Sequence, residues 1–130
     1  MKKLPDTNTI LRYLLKDNEE LFKRAFMFFE NVRKGQEKAL ILESVLTETV
    51  YVLMKYYNVP RREISDKLKE FLLYKGIVNN DKKELIHALD IFSSSNLAIV
   101  DCILCAKAKG KGYELFSFDE KLNKICGTEK

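Results

Sequence analysis

Four acidic residues stand where a protein of alternating strands and helices could use them together: Asp6, Glu48, Asp101 and Asp119. Asp6 follows a short apolar start ending at Leu4, and Asp119 directly follows the aromatic-rich run from Tyr113 to Phe118. If both runs are strands of one parallel sheet, both carboxylates project toward the rim beyond the strands' carboxyl ends, where open α/β sheets bind their ligands. Asp101 lies near the start of the predicted helix before the last strand, and Glu48 in the first turns of the predicted helix after the second strand. All four are therefore expected at one end of the sheet. Left alone, such a group repels itself, because carboxylates a few Å apart raise one another's pKa and resist joint ionisation. A cation resolves this. All-oxygen ligation without His or Cys suits Mg²⁺ or Mn²⁺, which keeps several waters and bridges to phosphate. Hydrolysis of a phosphodiester follows as the matching chemistry. The competing reading is that these are ordinary capping and surface acids, four drawn from 19.

The elements that must hold these acids follow from residue spacing. Asp6, Thr7 and Asn8 are good N-cap types, and Ile10, Leu11, Leu14 and Leu15 follow at helical intervals. Leu21, Phe22, Ala25, Phe26, Phe29 and Val32 predict a second amphipathic helix closed by Gly35. Ala39 to Leu42 reads as a short buried strand paired with the first. Ser44 opens a helix carrying Val45, Leu46, Val50, Leu53, Met54 and Tyr57, which stops at Asn58. Pro60 suits the first turn of the next helix, whose apolar face is Ile64, Leu68, Phe71 and Leu72, with Gly76 as its stop. Ile77 and Val78 suggest a third strand. Asp81 begins a helix with Leu85, Leu89 and Phe92 on one face, and a further helix starts near Ile99 and ends at Gly110. Tyr113 to Phe118 is the clearest strand, running into Asp119 as the cap of a last short helix. Strands alternating with helices predict the α/β class, with a parallel sheet covered by helices on both faces.

Four segments then carry a resemblance. Leu4-Pro5-Asp6-Thr7-Asn8, with Ile10 to Leu15 after it, resembles the opening of the PIN domain family, where a hydrophobic strand leads into an Asp-Thr-Asn triplet. Val45 to Leu53 resembles that family's helix bearing an acidic residue, Val100 to Leu104 its third acidic motif, and Phe116-Ser117-Phe118-Asp119 its last. The similarity covers essentially the whole chain, read as one domain over residues 1–130. It implies a PIN-like three-layer fold with a central parallel sheet of about four or five strands flanked by helices. It also implies a metal-dependent ribonuclease, most often the VapC type of toxin held in check by a cognate antitoxin. By that match Asp6, Glu48, Asp101 and Asp119 form the carboxylate set, with Asp6, Asp101 and Asp119 holding Mg²⁺ or Mn²⁺. Asn8 and Ser117 match flanking polar positions that would orient the carboxylates or a bound water. Glu43 rivals Glu48, but Thr47-Glu48 falls within the matching helix pattern. Ala98 stands where many relatives of the resembled family carry another acid, so one metal is expected, with a second left open. A homodimer is a family-level expectation.

The rest of the composition sets bounds. A length of 130 residues with 46% hydrophobic and 32% charged residues is that of one ordinary globular domain. No apolar run is long enough to span a bilayer, and Asp6 and Arg12 interrupt the N-terminus before an export signal could form. Three cysteines without such a signal suggest reduced thiols in the cytoplasm. Cys102 and Cys105 have C-x-x-C spacing but no second pair to complete a zinc site, so both are expected to pack as small buried side chains. His87 falls off the apolar stripe and is expected in solvent. Phe26, Phe28 and Phe29 are read as core or an oligomer contact. The net charge of +4 permits a polyanionic partner, and Lys107, Lys109, Lys111, Arg12 and Lys16 could meet an RNA backbone. No aromatic RNA-recognition motif is visible. The rival reading from another class is a non-catalytic module that keeps the fold and binds RNA or protein.

Overall fold

The computed structural model of the chain describes residues 1–127. Seven helices make up most of it: α1 Thr7–Leu15, α2 Glu19–Lys34, α3 Glu43–Lys55, α4 Arg61–Leu72, α5 Lys82–Ser94, α6 Ile99–Lys111 and α7 Glu120–Cys126. Local sequence sets their ends. Asn18 caps α2 by accepting from Leu21 N–H at 3.0 Å, Glu19 and Glu20 occupy its positive first turn, and Gly35 closes it at φ 85°. α4 begins after Pro60 and α5 after Asp81, both as the sequence predicts.

Three segments run parallel between the helices. Lys3 bridges Ala39, and Ala39 bridges Ile77, so Ala39 is the middle member. Lys3 N–H donates to Lys38 O at 2.9 Å and Leu40 N–H to Lys3 O at 3.0 Å. On the other side Ala39 N–H donates to Gly76 O at 2.8 Å and Val78 N–H to Ala39 O at 2.9 Å. The order and direction agree with expectation; the extent does not. In place of four or five strands, the described residues contain two single parallel bridges. Pairing stops where Pro5 removes a donor on one side. Beyond Val78 a side chain takes over on the other: the Asn79 amide donates to Ile41 O at 2.7 Å and accepts from Ile41 N–H at 2.9 Å. The residue thus copies a strand neighbour with its side chain.

The segment Tyr113 to Phe118, the clearest strand by composition, forms no ladder among the described residues. Its rings face water: Phe116 is 87% exposed and Phe118 90%. Only Leu115 from this stretch packs on the core. β propensity reports how well a side chain fits a half-buried pleated surface, and no such surface is offered here. A second correction concerns Gly110. The helix runs past it to Lys111 and is capped by Gly112 at φ 71°. Gly110 serves instead as a point of close approach, since a Cβ there would meet the Glu84 carboxylate at 2.7 Å. That contact sets the end of α6 against the start of α5, so the two helices form an antiparallel hairpin.

The core is built from Phe29, Phe71, Phe92, Ile41, Leu46, Leu53, Ile64, Leu68, Leu72 and Leu85, all essentially excluded from water. Phe29 of the expected aromatic cluster belongs to it, Phe28 packs against it, and Phe26 is 43% exposed. His87 is exposed, as expected. Cys102 is buried and free, and burial raises its thiol pKa to about 11, which keeps it inert. The expectation of three reduced thiols is corrected for the other two. Packing of α7 on α6 brings Cys105 and Cys126 into a disulfide with Cα atoms 5.5 Å apart. Among the described residues, no helix is long and apolar enough to cross a membrane.

Two polar side chains hold the helices that matter for the site. Arg61 donates from Nε to Phe92 O at 2.9 Å and from a terminal nitrogen to Leu97 O, while its guanidinium lies 3.7 Å from the centre of the Phe92 ring. It thereby fixes the turn from which α6 starts. Replacing Arg61 by Leu should cost about 2–4 kcal/mol in urea unfolding, because two buried carbonyls lose a charged donor; a loss below about 1 kcal/mol would remove this role. Asp6 caps α1, its Oδ1 accepting from Thr9 N–H at 2.9 Å and from the Thr9 hydroxyl at 2.7 Å. Those bonds, the backbone one first, hold its pKa below the ordinary 3.8. A depressed pKa means the cap stabilises fully above about pH 3.8 and is lost as pH falls through the lower folded value. Asp6→Ala should therefore unfold about 0.5–2 kcal/mol more easily at pH 7, with the difference shrinking toward acid.

Candidate functional site

The three parallel segments end at one rim, and α1, α3 and α5 all start there. Asp6 is the residue before α1, Glu43 the first residue of α3 and Asp81 the residue before α5. One cation joins two of these. Lys107 of α6 lies 2.8 Å from Glu43 and 3.2 Å from Asp81. Glu43, as the strongest partner, holds the lysine more basic than usual. The Asn79 amide also donates to Asp81 at 3.0 Å, so the same residue that completes the parallel pairing orients an acid of the rim.

The four acids singled out by sequence are treated differently. Among the described residues Asp6, Glu48, Asp101 and Asp119 form no ion pair with Lys, Arg or His. The Thr7 hydroxyl donates to Glu48 at 2.6 Å, which links the second acid to the turn that carries the first. Asp101 and Asp119 line one cleft of about 480 Å³ along α6. Leu104, Lys107 and Ala108 form its floor, and the extended segment from Tyr113 to Ser117 forms its other wall. Asp119 reaches it as the cap of α7, with Oδ1 accepting from Leu122 N–H at 3.0 Å. Ser117 fixes the approach: its hydroxyl accepts from Asp119 N–H at 3.0 Å, and its carbonyl accepts from the Asn123 amide at 2.9 Å.

Not every expected residue joins this group. Asn8 lines a separate cleft of about 280 Å³ between α1 and α2, beside Thr9, Arg12 and Arg24. Arg12 is held by Asp17 at 2.6 Å, and Lys107 by two carboxylates, so neither is a free cation for a backbone. Lys109 and Lys111 are exposed. Asp101 lies near the start of α6, as the sequence predicts, on the second helix of the α5–α6 hairpin. Sequence reading missed Asn79 and the role of Thr7. The polar run Asn79-Asn80-Asp81 after an apolar pair was the available signal for the first, and the second lay inside the Asp-Thr-Asn triplet.

The donors fit a hard divalent cation chemically, being carboxylates without sulfur or imidazole. As they stand, no three His, Cys, Asp or Glu side chains among the described residues are grouped closely enough to hold an ion. The acids come in two pairs, Asp6 with Glu48 through Thr7, and Asp101 with Asp119 across the cleft.

Comparison with known proteins agrees with this chain-wide pattern. The family model for the PIN domain matches residues 3–127. A VapC ribonuclease from Aquifex aeolicus (strain VF5) is 31% identical over 125 residues, covering 95% of this chain and 91% of that protein. No solved structure gives a significant match. PIN domains are α/β proteins, which accounts for a parallel arrangement surviving in so helical a chain. With a family model spanning residues 3–127 and a relative matched over nearly its whole length, the chain belongs to the PIN domain family.

Proposed function

We propose that this PIN domain, one unit over residues 1–130, is a divalent-metal-dependent ribonuclease that hydrolyses RNA phosphodiester bonds. We assign it as the toxin of a toxin-antitoxin pair. The observation that carries the reading is the placement of the acids: Asp101 and Asp119 line one cleft, and Thr7, next to Asp6, donates to Glu48, while Glu43 and Asp81 at the rim share Lys107. A bound cation would relieve the repulsion among carboxylates brought together there. Likeness to a protein named VapC ribonuclease supports the substrate class.

In this reading Asp6, Asp101 and Asp119 hold Mg²⁺ or Mn²⁺ with Glu48 assisting. Bound there, the ion supplies a bound water of lowered pKa and offsets charge developing on the phosphate. The chain's own residues supply position. Thr9 keeps Asp6 ionised, and Thr7 orients Glu48. Ser117 fixes the backbone from which Asp119 projects, and Asn8 supports from the first turn of α1. Glu43 is the poorer second carboxylate because Lys107 already neutralises it. Glu48 is five residues on from Glu43 and Asp101 six before Lys107, so both lie within about two helical turns of that ion pair. We read the partners as RNA, a cognate antitoxin and a second copy of the chain, and the compartment as the cytoplasm. One observation favours a non-catalytic binding module instead: the acids stand in pairs and not as a group of three.

Cleavage of a labelled single-stranded RNA with and without Mn²⁺ separates these readings. The nuclease reading expects metal-dependent cutting, lowered at least roughly a hundredfold by Asp6→Asn and by Asp101→Asn. Thr7→Val should lower kcat by roughly tenfold or more with KM little changed, as loss of a carboxylate's orienting partner does. Should both Asn variants cut as fast as the parent, the assigned site is wrong.

A further inference from the structure

The unpaired segment between α6 and α7 carries three rings in water: Tyr113 is 68% exposed, Phe116 87% and Phe118 90%. They are presented on a held support. Tyr113 N–H donates to Ala108 O at 2.8 Å, Leu115 packs on the core, and Ser117 bonds to both Asp119 and Asn123. Anchors therefore fall at residues 113, 115 and 117, while 116 and 118 are left outward. Phe116 and Phe118 meet edge to face with centroids 5.5 Å apart at 65°. Tyr113 and Phe116 line the same cleft as Asp101 and Asp119. Flat rings fixed beside the acids that would meet a phosphodiester are what a stacked base requires, because every base offers a π face.

We propose that Tyr113, Phe116 and Phe118 form a stacking platform for the bases of a single-stranded RNA whose backbone enters the cleft between Asp101 and Asp119. This rests on the ribonuclease reading and adds where the bases next to the cut would lie. Charge agrees with that occupant. Exposed Lys109 and Lys111 at the end of α6 and exposed Lys121 and Lys124 on α7 flank the segment, against the exposed acids Glu114, Asp119 and Glu120. The excess is positive, as a phosphate backbone needs. A base paired in a duplex keeps its faces covered, so the platform selects unpaired RNA. The same placement explains why the segment reads as a strand yet pairs with nothing.

The test uses the full chain with Mn²⁺ and a single-stranded RNA carrying 2-aminopurine at successive positions, whose fluorescence falls on stacking. Phe116→Ala and Phe118→Ala should each raise KM roughly fivefold or more and abolish the quench at one position, with melting temperature unchanged. Phe116→Trp should restore both. If the parent cleaves RNA and the Phe116→Ala, Phe118→Ala double variant does so with unchanged KM and quench, the platform is wrong and the nuclease reading stands. If the parent neither binds nor cleaves RNA with Mn²⁺, the nuclease reading falls and the platform with it. If the double variant changes only association with a second copy or with an antitoxin, the rings are a protein interface and the proposal is overturned.

Discussion

The bridge from Lys107 to Glu43 and Asp81 gathers two acids of the rim on one cation. It ties α6 to the first residue of α3 and to the cap of α5, so one cation fixes three elements at the rim. It also uses up the lysine best placed to neutralise the cleft. Exposed ion pairs contribute little to stability on their own. Beside it, Asp6, Glu48 and Asp119 have hydroxyl and backbone N–H partners. Thr7, Thr9 and Ser117 orient those acids or their backbone without cancelling their charge, which suits a site that awaits a cation.

That arrangement depends on very little sheet. Ala39 alone is bridged on both sides, and the parallel direction of its two neighbours is what brings α1, α3 and α5 to one end. Few ladder bonds remain to resist slippage, so other contacts fix the register. The Asn79 amide replaces a strand neighbour for Ile41, and Gly76 admits backbones that a side chain would push apart, donating to Val32 O at 2.7 Å. The helical layer does the rest, with Phe29, Phe71 and Phe92 filling its centre. The rim where α1, α3 and α5 start is the edge of a small parallel core held mostly by its surroundings.

The sequence made the helices legible because their apolar spacing and caps are local signals. Asp6, Asn18 and Asp119 each cap the helix that follows, and Gly35 closes α2. Order and direction of the first three extended segments could also be read. The extent of the sheet could not, since pairing depends on neighbours distant in sequence; Tyr113 to Phe118 has strand composition and no strand partner among the described residues. The Cys105–Cys126 disulfide was hidden for the same reason, the two residues meeting only when α7 folds on α6. The acids were singled out as a set, but their partners could not be read: nothing in the spacing says that Glu43 pairs with Lys107 while Glu48 accepts from Thr7.

The nuclease reading requires that Asp6, Asp101 and Asp119 share one cation. Titration of the purified chain with Mn²⁺, followed by electron paramagnetic resonance of the free ion, tests it most directly. Saturable binding is expected, weakened at least roughly tenfold in both Asp101→Asn and Asp119→Asn, at unchanged melting temperature without metal. No binding by the parent, or binding that both variants leave untouched, would contradict it.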